Sequence, residues 1–411
     1  MQRRTIGIVI IGCLLAVGLA SISAFGRVGP LANLFGEGGA PACGFAWRAV
    51  PAASASQTYN ELHALAALSK ENVWAAGIYG GEEFALTLVE HWDGEKWVEE
   101  ASSSVPDFSN HLYGMSAISP EDIWIVGASH QGTDLWRTLA LHWDGREWSI
   151  VPTPSRARIS SLNAVAGTTM DDGRWTMEVW AVGEESLGNR TDGTRALVMR
   201  WDGVEWRRVE TGIEEQNATL SAVAAIAPDD VWAAGSYSDM SGTVLKPLLA
   251  HWDGSTWSKV EAGSDGTIWG ISALSATDVW AVGNFGPQTL ALHWDGAVWK
   301  RVGTPNPGDG KGNNVLNAVA GRTKDEGRGT KEVWAVGSYS DGGKDRALAM
   351  KWDGVEWKQV AAPSLGEYSD VLWAVEAVPG AGGEWWAAGA SIADELGNNL
   401  PVVLRYSEPC R

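Results

Sequence analysis

The sequence predicts an all-β fold, a seven-bladed β-propeller of four-stranded antiparallel blades whose last blade is completed by the N-terminal strand. Three observations lead there. A VWA-type tryptophan recurs at Trp74, Trp124, Trp180, Trp232, Trp280, Trp334 and Trp386, 48 to 56 residues apart. A WDG tripeptide follows in six of these seven copies, starting at Trp92, Trp143, Trp201, Trp252, Trp294 and Trp352, with a further Trp five residues after each. Each copy also carries four short apolar or alternating runs between turn residues. A period near 50 residues with four strands per copy is that of a propeller. One such unit cannot cover both its faces, so neighbours must stack. Separate domains of that size would bury too little surface.

Copy four shows the pattern. Its first strand is the apolar run Leu220 to Ile226. Pro228-Asp229-Asp230 is turn chemistry, since Pro fixes φ and Asp bonds nearby backbone. Val231 to Gly235 forms the second strand and Leu248 to Trp252 the third, with Leu248, Ala250 and Trp252 on one face because strand side chains alternate. Copy one departs from this with Glu90 at the middle position. Asp253-Gly254 fits a two-residue hairpin turn, where Gly supplies a positive φ at little cost, and Trp257 lies on the fourth strand. Of the 25 Trp, 20 occupy repeat positions and are therefore expected in the core; Trp136, Trp175, Trp269, Trp373 and Trp385 fall outside.

Residues 1–24 read as an export signal or N-terminal membrane anchor. Arg3-Arg4 precedes an apolar run from Thr5 to about Ala20, the order of an export segment. Its length approaches a membrane span, and small-x-small sites stand at Gly18-Leu19-Ala20 and Ser21-Ile22-Ser23. Ile10-Ile11-Gly12-Cys13 is similar to a lipobox. Cleaved signal, anchor attached through residues 5–24, and lipoprotein all stay open, and all three place the propeller outside the cytoplasm. Residues 25–42 read as a linker, and 43–411 as the propeller.

The seventh copy is incomplete. Its third strand, Val402 to Tyr406, has Tyr406 in place of Trp, and the chain ends without a fourth strand. Gly44-Phe45-Ala46-Trp47-Arg48-Ala49-Val50 matches the missing piece, so the N-terminal strand is expected to close the ring and remove its open edge. Cys43 and Cys410 stand at the two ends of this split hairpin. In an oxidising compartment they are expected to pair, for about 5–6 kcal/mol at most on the chain-entropy view.

The net charge of −19 argues against a nucleic-acid partner, whose phosphates demand a basic face. Four of the seven His (His91, His142, His251, His293) precede WDG, one per copy, where other copies have Arg200, Lys351 and Arg405. That substitution pattern does not suit a metal site. No GxSxG, HExxH or CxxC occurs, so no catalytic residue, metal or cofactor is expected.

The DVWAVG…HWDGxxW repeat resembles those of secreted bacterial β-propeller repeat proteins, most of unknown function, and more loosely kelch and Asp-box propellers. The resemblance covers nearly all of the expected mature chain. The DGxxW turn lacks the Asp-box spacing, as does Ser264-Asp265-Gly266-Thr267-Ile268-Trp269. The Arg cluster and Tyr nucleophile of sialidases cannot be assigned, nor can the copper ligands of a kelch-type oxidase. In this topology the loops between strands two and three, and those between copies, share one variable face, where binding is expected. Those include 129–138, 184–195, 236–247, 338–346 and 391–399, with 102–111 and 304–315 between copies. The expected function is a non-catalytic binding module for glycan or protein. A structural scaffold is the alternative, and a hydrolase or lyase acting at the channel mouth a further one.

One ring breaks the repeat. Aligned first strands read LHALAAL, LYGMSAI, LNAVAGT, LSAVAAI, IWGISAL, LNAVAGR and LWAVEAV. The first, third and fourth positions are almost all small or aliphatic. The second holds His63, Tyr113, Asn163, Ser221, Trp269, Asn317 and Trp373. The first strand of a propeller is innermost, so these side chains are expected near the channel mouth, with Trp136 on a loop above them. Aromatic rings can stack on a sugar and amides or hydroxyls can bond it. Alternatively the ring fills wedges of unequal width between blades.

Overall fold

A computed structural model describes residues 44–411, apart from 54–55, 57–58, 82, 133–134, 169–177, 187, 189–192, 239–244, 311, 325–329, 381, 395–396 and 408–411. The export segment, the linker, Cys13, Cys43 and Cys410 lie outside the described residues. Among those described are 28 strands and no helix. Each repeat copy folds as a four-stranded antiparallel unit in sequence order, as in Thr219–Ala227, Asp230–Ser238, Leu245–Trp252 and Trp257–Val260 of copy four. The units are blades of a β-propeller. Their first strands pack on one another in succession, and the last of them, Ser369–Ala377, packs on the first, Asn60–Ser69. In copy seven the outer place is taken by Ala46–Ala49, paired antiparallel with Asn399–Ser407 so that Trp47 faces Tyr406.

Tryptophan explains why the blades stack. The second-strand Trp of each copy contacts two rings from the next copy: the WDG Trp, tilted against it, and the fourth-strand Trp, edge-on. Trp180, for example, lies 5.0 Å from Trp252 and 5.4 Å from Trp257. Trp386 of copy seven makes the same pair of contacts with Trp92 and Trp97 of copy one, at 5.1 and 5.3 Å. At the junction of copies six and seven, Trp334 meets Tyr406 at 4.6 Å and Trp47 at 5.2 Å. Tyr406 and Trp47 thus stand in for the missing WDG and fourth-strand rings. Each aromatic pair adds about 0.5–1.5 kcal/mol beyond the area it buries.

The residue preceding WDG lies over the second-strand Trp of its own blade. His142 stacks on Trp124 at 4.3 Å and bonds Asp122 at 2.8 Å. His251 bonds Asp230 and His293 bonds Asp278, each at 2.8 Å. Where the histidine is replaced by a longer cation, the acid lengthens as well. Arg200 pairs with Glu178, Lys351 with Glu332 and Arg405 with Glu384, each cation over its Trp. These positions hold the sheet together.

Two local expectations are corrected. The WDG turn is a four-residue loop: Trp252 pairs with Trp257, and Asp253 Oδ1 accepts from the amides of Ser255 and Thr256 at 2.9 and 2.8 Å. The Asp side chain organises this turn, and Gly254 supplies φ of 90°. Several loops are also shorter than the pattern implied, because the ladder between second and third strands runs on past the apolar residues. In copy six it extends to Asp341 opposite Lys344, leaving only Gly342-Gly343 between them.

Candidate functional site

Every inner strand carries a β-bulge at the same place. The register skips His63, Tyr113, Asn163, Ser221, Trp269, Asn317 and Trp373, as it does between Leu220 and Ala222. A bulged residue sits outside the ladder, and bulges are a device for re-aiming side chains. This frees the second position from the repeat's apolar rule. The glycine ending each VWAxG run lies opposite. A methyl group on Gly235 would collide with the Thr219 carbonyl, and the equivalent glycine of every other copy meets a backbone carbonyl in the same way. One position further along, adjacent inner strands nearly touch: a Cβ on Gly114 would lie 2.7 Å from the Ala164 Cα, and one on Gly270 would lie 2.9 Å from the Ala318 Cα.

The ring residues divide into two groups. His63 Nδ1 bonds the Leu112 carbonyl at 3.0 Å, Asn163 Nδ2 the Leu220 carbonyl at 2.9 Å and Asn317 Nδ2 the Leu372 carbonyl at 2.9 Å. These three latch their own blade to the next. Tyr113, Ser221, Trp269 and Trp373 are half-buried, and Trp269 Nε1 donates to Asn284 Oδ1 within its own blade at 2.9 Å.

Part of the ring is drawn into an arc of aromatic rings across copies seven, one and two. Trp373 meets His63 edge-on at 4.6 Å, and His63 stacks with Tyr113 at 5.9 Å. Tyr113 stacks with His111 at 6.1 Å, His111 contacts Trp136 at 5.4 Å, and Trp136 stacks on His130 at 4.6 Å. Trp136 is not on a loop over the face, as the sequence implied. It is the first residue of the strand Trp136–Trp143, bridges to Ile159 of copy three and is buried between two imidazoles.

Both partners of His63 are acceptors, because Nε2 lies 2.9 Å from Glu61 Oε2. Nδ1 therefore donates to the Leu112 carbonyl, and Nε2 shares a hydrogen bond with the Glu61 carboxyl. Burial works against the Glu61 charge, yet hydrogen bonding from His63 holds its carboxyl below the ordinary value, helped by Tyr59 and Asn399. Asn399 Nδ2 reaches Glu61 Oε1 at 2.5 Å, so the Glu61–His63 pair ties copies seven, one and two together. His111 is also pushed down, to about 4, by burial and by the neighbouring His63 and His130.

Glu61, His111 and His130 were not legible as site residues. The alignment began at the apolar leucine and passed over the residue before it. The signal was present in composition, since the three His that do not precede WDG all lie in this arc. Among the described residues, no group of three or more His, Cys, Asp or Glu is placed to hold a metal ion.

No protein-family model matches the sequence, and no curated protein matches it. In fold the chain is similar to the solved structure of U3-55K, at 14% identity and a TM-score of 0.53, over 88% of this chain and 98% of that one. It is also similar to YCF48 from Cyanidioschyzon merolae, at 14% and 0.50, over 89% and 99%. A third is a protein of unknown function from Dyadobacter fermentans DSM 18053, at 13% and 0.51, over 74% and 97%. At these identities the likeness is one of fold.

Proposed function

We propose that this chain is a non-catalytic, extracytoplasmic binding module, a seven-bladed propeller that recognises glycan or protein at its channel mouth. The observation that carries this reading is the bulge repeated in every inner strand. It turns the one position free of the apolar rule out of the ladder, and three of its seven residues are large aromatics, Tyr113, Trp269 and Trp373. His63, Asn163 and Asn317 each also bond a carbonyl of the next blade, and the three aromatics are the residues on which ligand contact is tested. Export supports pairing of Cys43 with Cys410, which intact mass under non-reducing conditions checks by the absence of a free thiol on either residue.

The test of binding is the triple variant Tyr113→Ala, Trp269→Ala, Trp373→Ala beside the unaltered chain, on glycan and surface-protein arrays. Ligand retained by the unaltered chain and lost by the variant, at a similar melting temperature, supports the site. A ligand bound equally by both places recognition elsewhere.

A further inference from the structure

Resting on that reading, we infer that the ligand of the mouth is a saccharide without an anionic group. Three observations lead to this ligand class. The first is the charge of the mouth. Two residues per inner strand stand at the end that carries the bulge: the bulged residue and the one before the leucine. The two share a face, since Glu61 bonds His63, Ser161 Oγ bonds Asn163 Oδ1 at 3.0 Å and His111 stacks with Tyr113. The residues before the leucine are Glu61, His111, Ser161, Thr219, Thr267, Val315 and Val371. Neither set contains Lys or Arg. His63 Nε2 is already bonded to Glu61, and Thr219 donates to a further carboxylate, Glu184, at 2.5 Å. A sugar carboxylate or sulfate would thus be desolvated beside carboxylates with no Lys or Arg in either set to meet it, on a chain of net charge −19.

The second observation is how the side chains are distributed. Aromatic rings line copies seven, one and two, with Trp269 on copy five, while copies three and four offer Ser161, Asn163, Thr219 and Ser221. An aromatic wall facing hydroxyls and amides suits a ring with an apolar C–H face and a hydroxylated edge. The third is the closeness of adjacent inner strands beside the bulge, where Gly114 and Gly270 leave no space for a Cβ. A peptide adding as a strand needs an open sheet edge, and the backbones meet there instead.

The experiment titrates the full chain with neutral cello-, chito-, malto- and manno-oligosaccharides and, separately, with sialyllactose, oligogalacturonate and heparin fragments, each at 50 and 500 mM NaCl. The expected result is binding within the neutral set, changed less than about twofold by salt. That binding should weaken at least about tenfold in Trp373→Ala and in Tyr113→Ala, and stay within about threefold in Tyr113→Phe. Val204→Ala, at an exposed turn remote from the bulge in sequence, should leave it unchanged. Binding confined to the anionic set, or binding that salt abolishes, overturns the saccharide class. Retention of a protein on the arrays with no saccharide bound also overturns it, while leaving the binding-module reading intact. Neutral binding that survives both alanine variants overturns the site itself.

Discussion

Glu90 is a carboxyl where copy four has Ala250. It is fully buried, its Oε2 accepts from the Ala53 amide at 3.1 Å, and Oε1 has no partner. Burial, with Glu99 opposite on the neighbouring strand, pushes it up to about 8. The folded state therefore favours the protonated acid. Its contribution is complete below the unfolded value near 4.5 and is lost as pH rises through 8. Glu90→Gln, the neutral isostere, should match the native chain near pH 5 and exceed it in stability at pH 9. Between pH 5 and 8 the difference should grow at up to about 1.4 kcal/mol per pH unit. Denaturant melts across that range check this, and parallel curves would contradict it.

At the scale of elements, the six-to-seven junction carries a buried ion cluster that the sequence did not announce. Glu332 accepts from Lys351 at 2.5 Å and from Arg322 at 2.7 Å, while Arg322 also lies over Trp385 and Lys351 over Trp334. Burial alone would raise the Glu332 carboxyl, but Lys351 and Arg322 hold it at about 2. Its stabilisation is present above pH 4.5 and is lost as pH falls towards 2. Glu332→Gln should cost about 3 kcal/mol at pH 7, since it leaves two cations without their charge partner. It should also flatten the acid limb of the stability curve, and an unaltered limb would show that the cluster contributes nothing on folding. Arg322 and Glu332 lie beyond the apolar run of their strands, yet the ladder continues past that run and pairs Arg322 with Glu332. The bulge was illegible for a related reason. An alignment gives residue identity at a position, while the register comes from the opposing strand, where glycines such as Gly235 let the carbonyls approach. The ring at His63 to Trp373 could be found because it broke the repeat. Trp136 was misplaced because the polar residues before it read as loop.

Across the whole molecule, the repeat supplies the stacked blades, and the departures from it fall at the bulge of the inner strands. Tryptophan spacing was enough to read strand order and stacking, and the split seventh copy was enough to pair Trp47 with Tyr406. The central claim is that ligand touches the bulge ring and leaves the repeat tryptophans untouched. The most direct measurement is fluorine NMR of the full chain labelled with 5-fluorotryptophan and titrated with a neutral oligosaccharide that binds. The account predicts that the resonances of Trp373 and Trp269, assigned by substitution, shift or broaden first while those of Trp92, Trp180 and Trp252 hold their positions. Movement of the repeat tryptophans with Trp373 and Trp269 unchanged would contradict it.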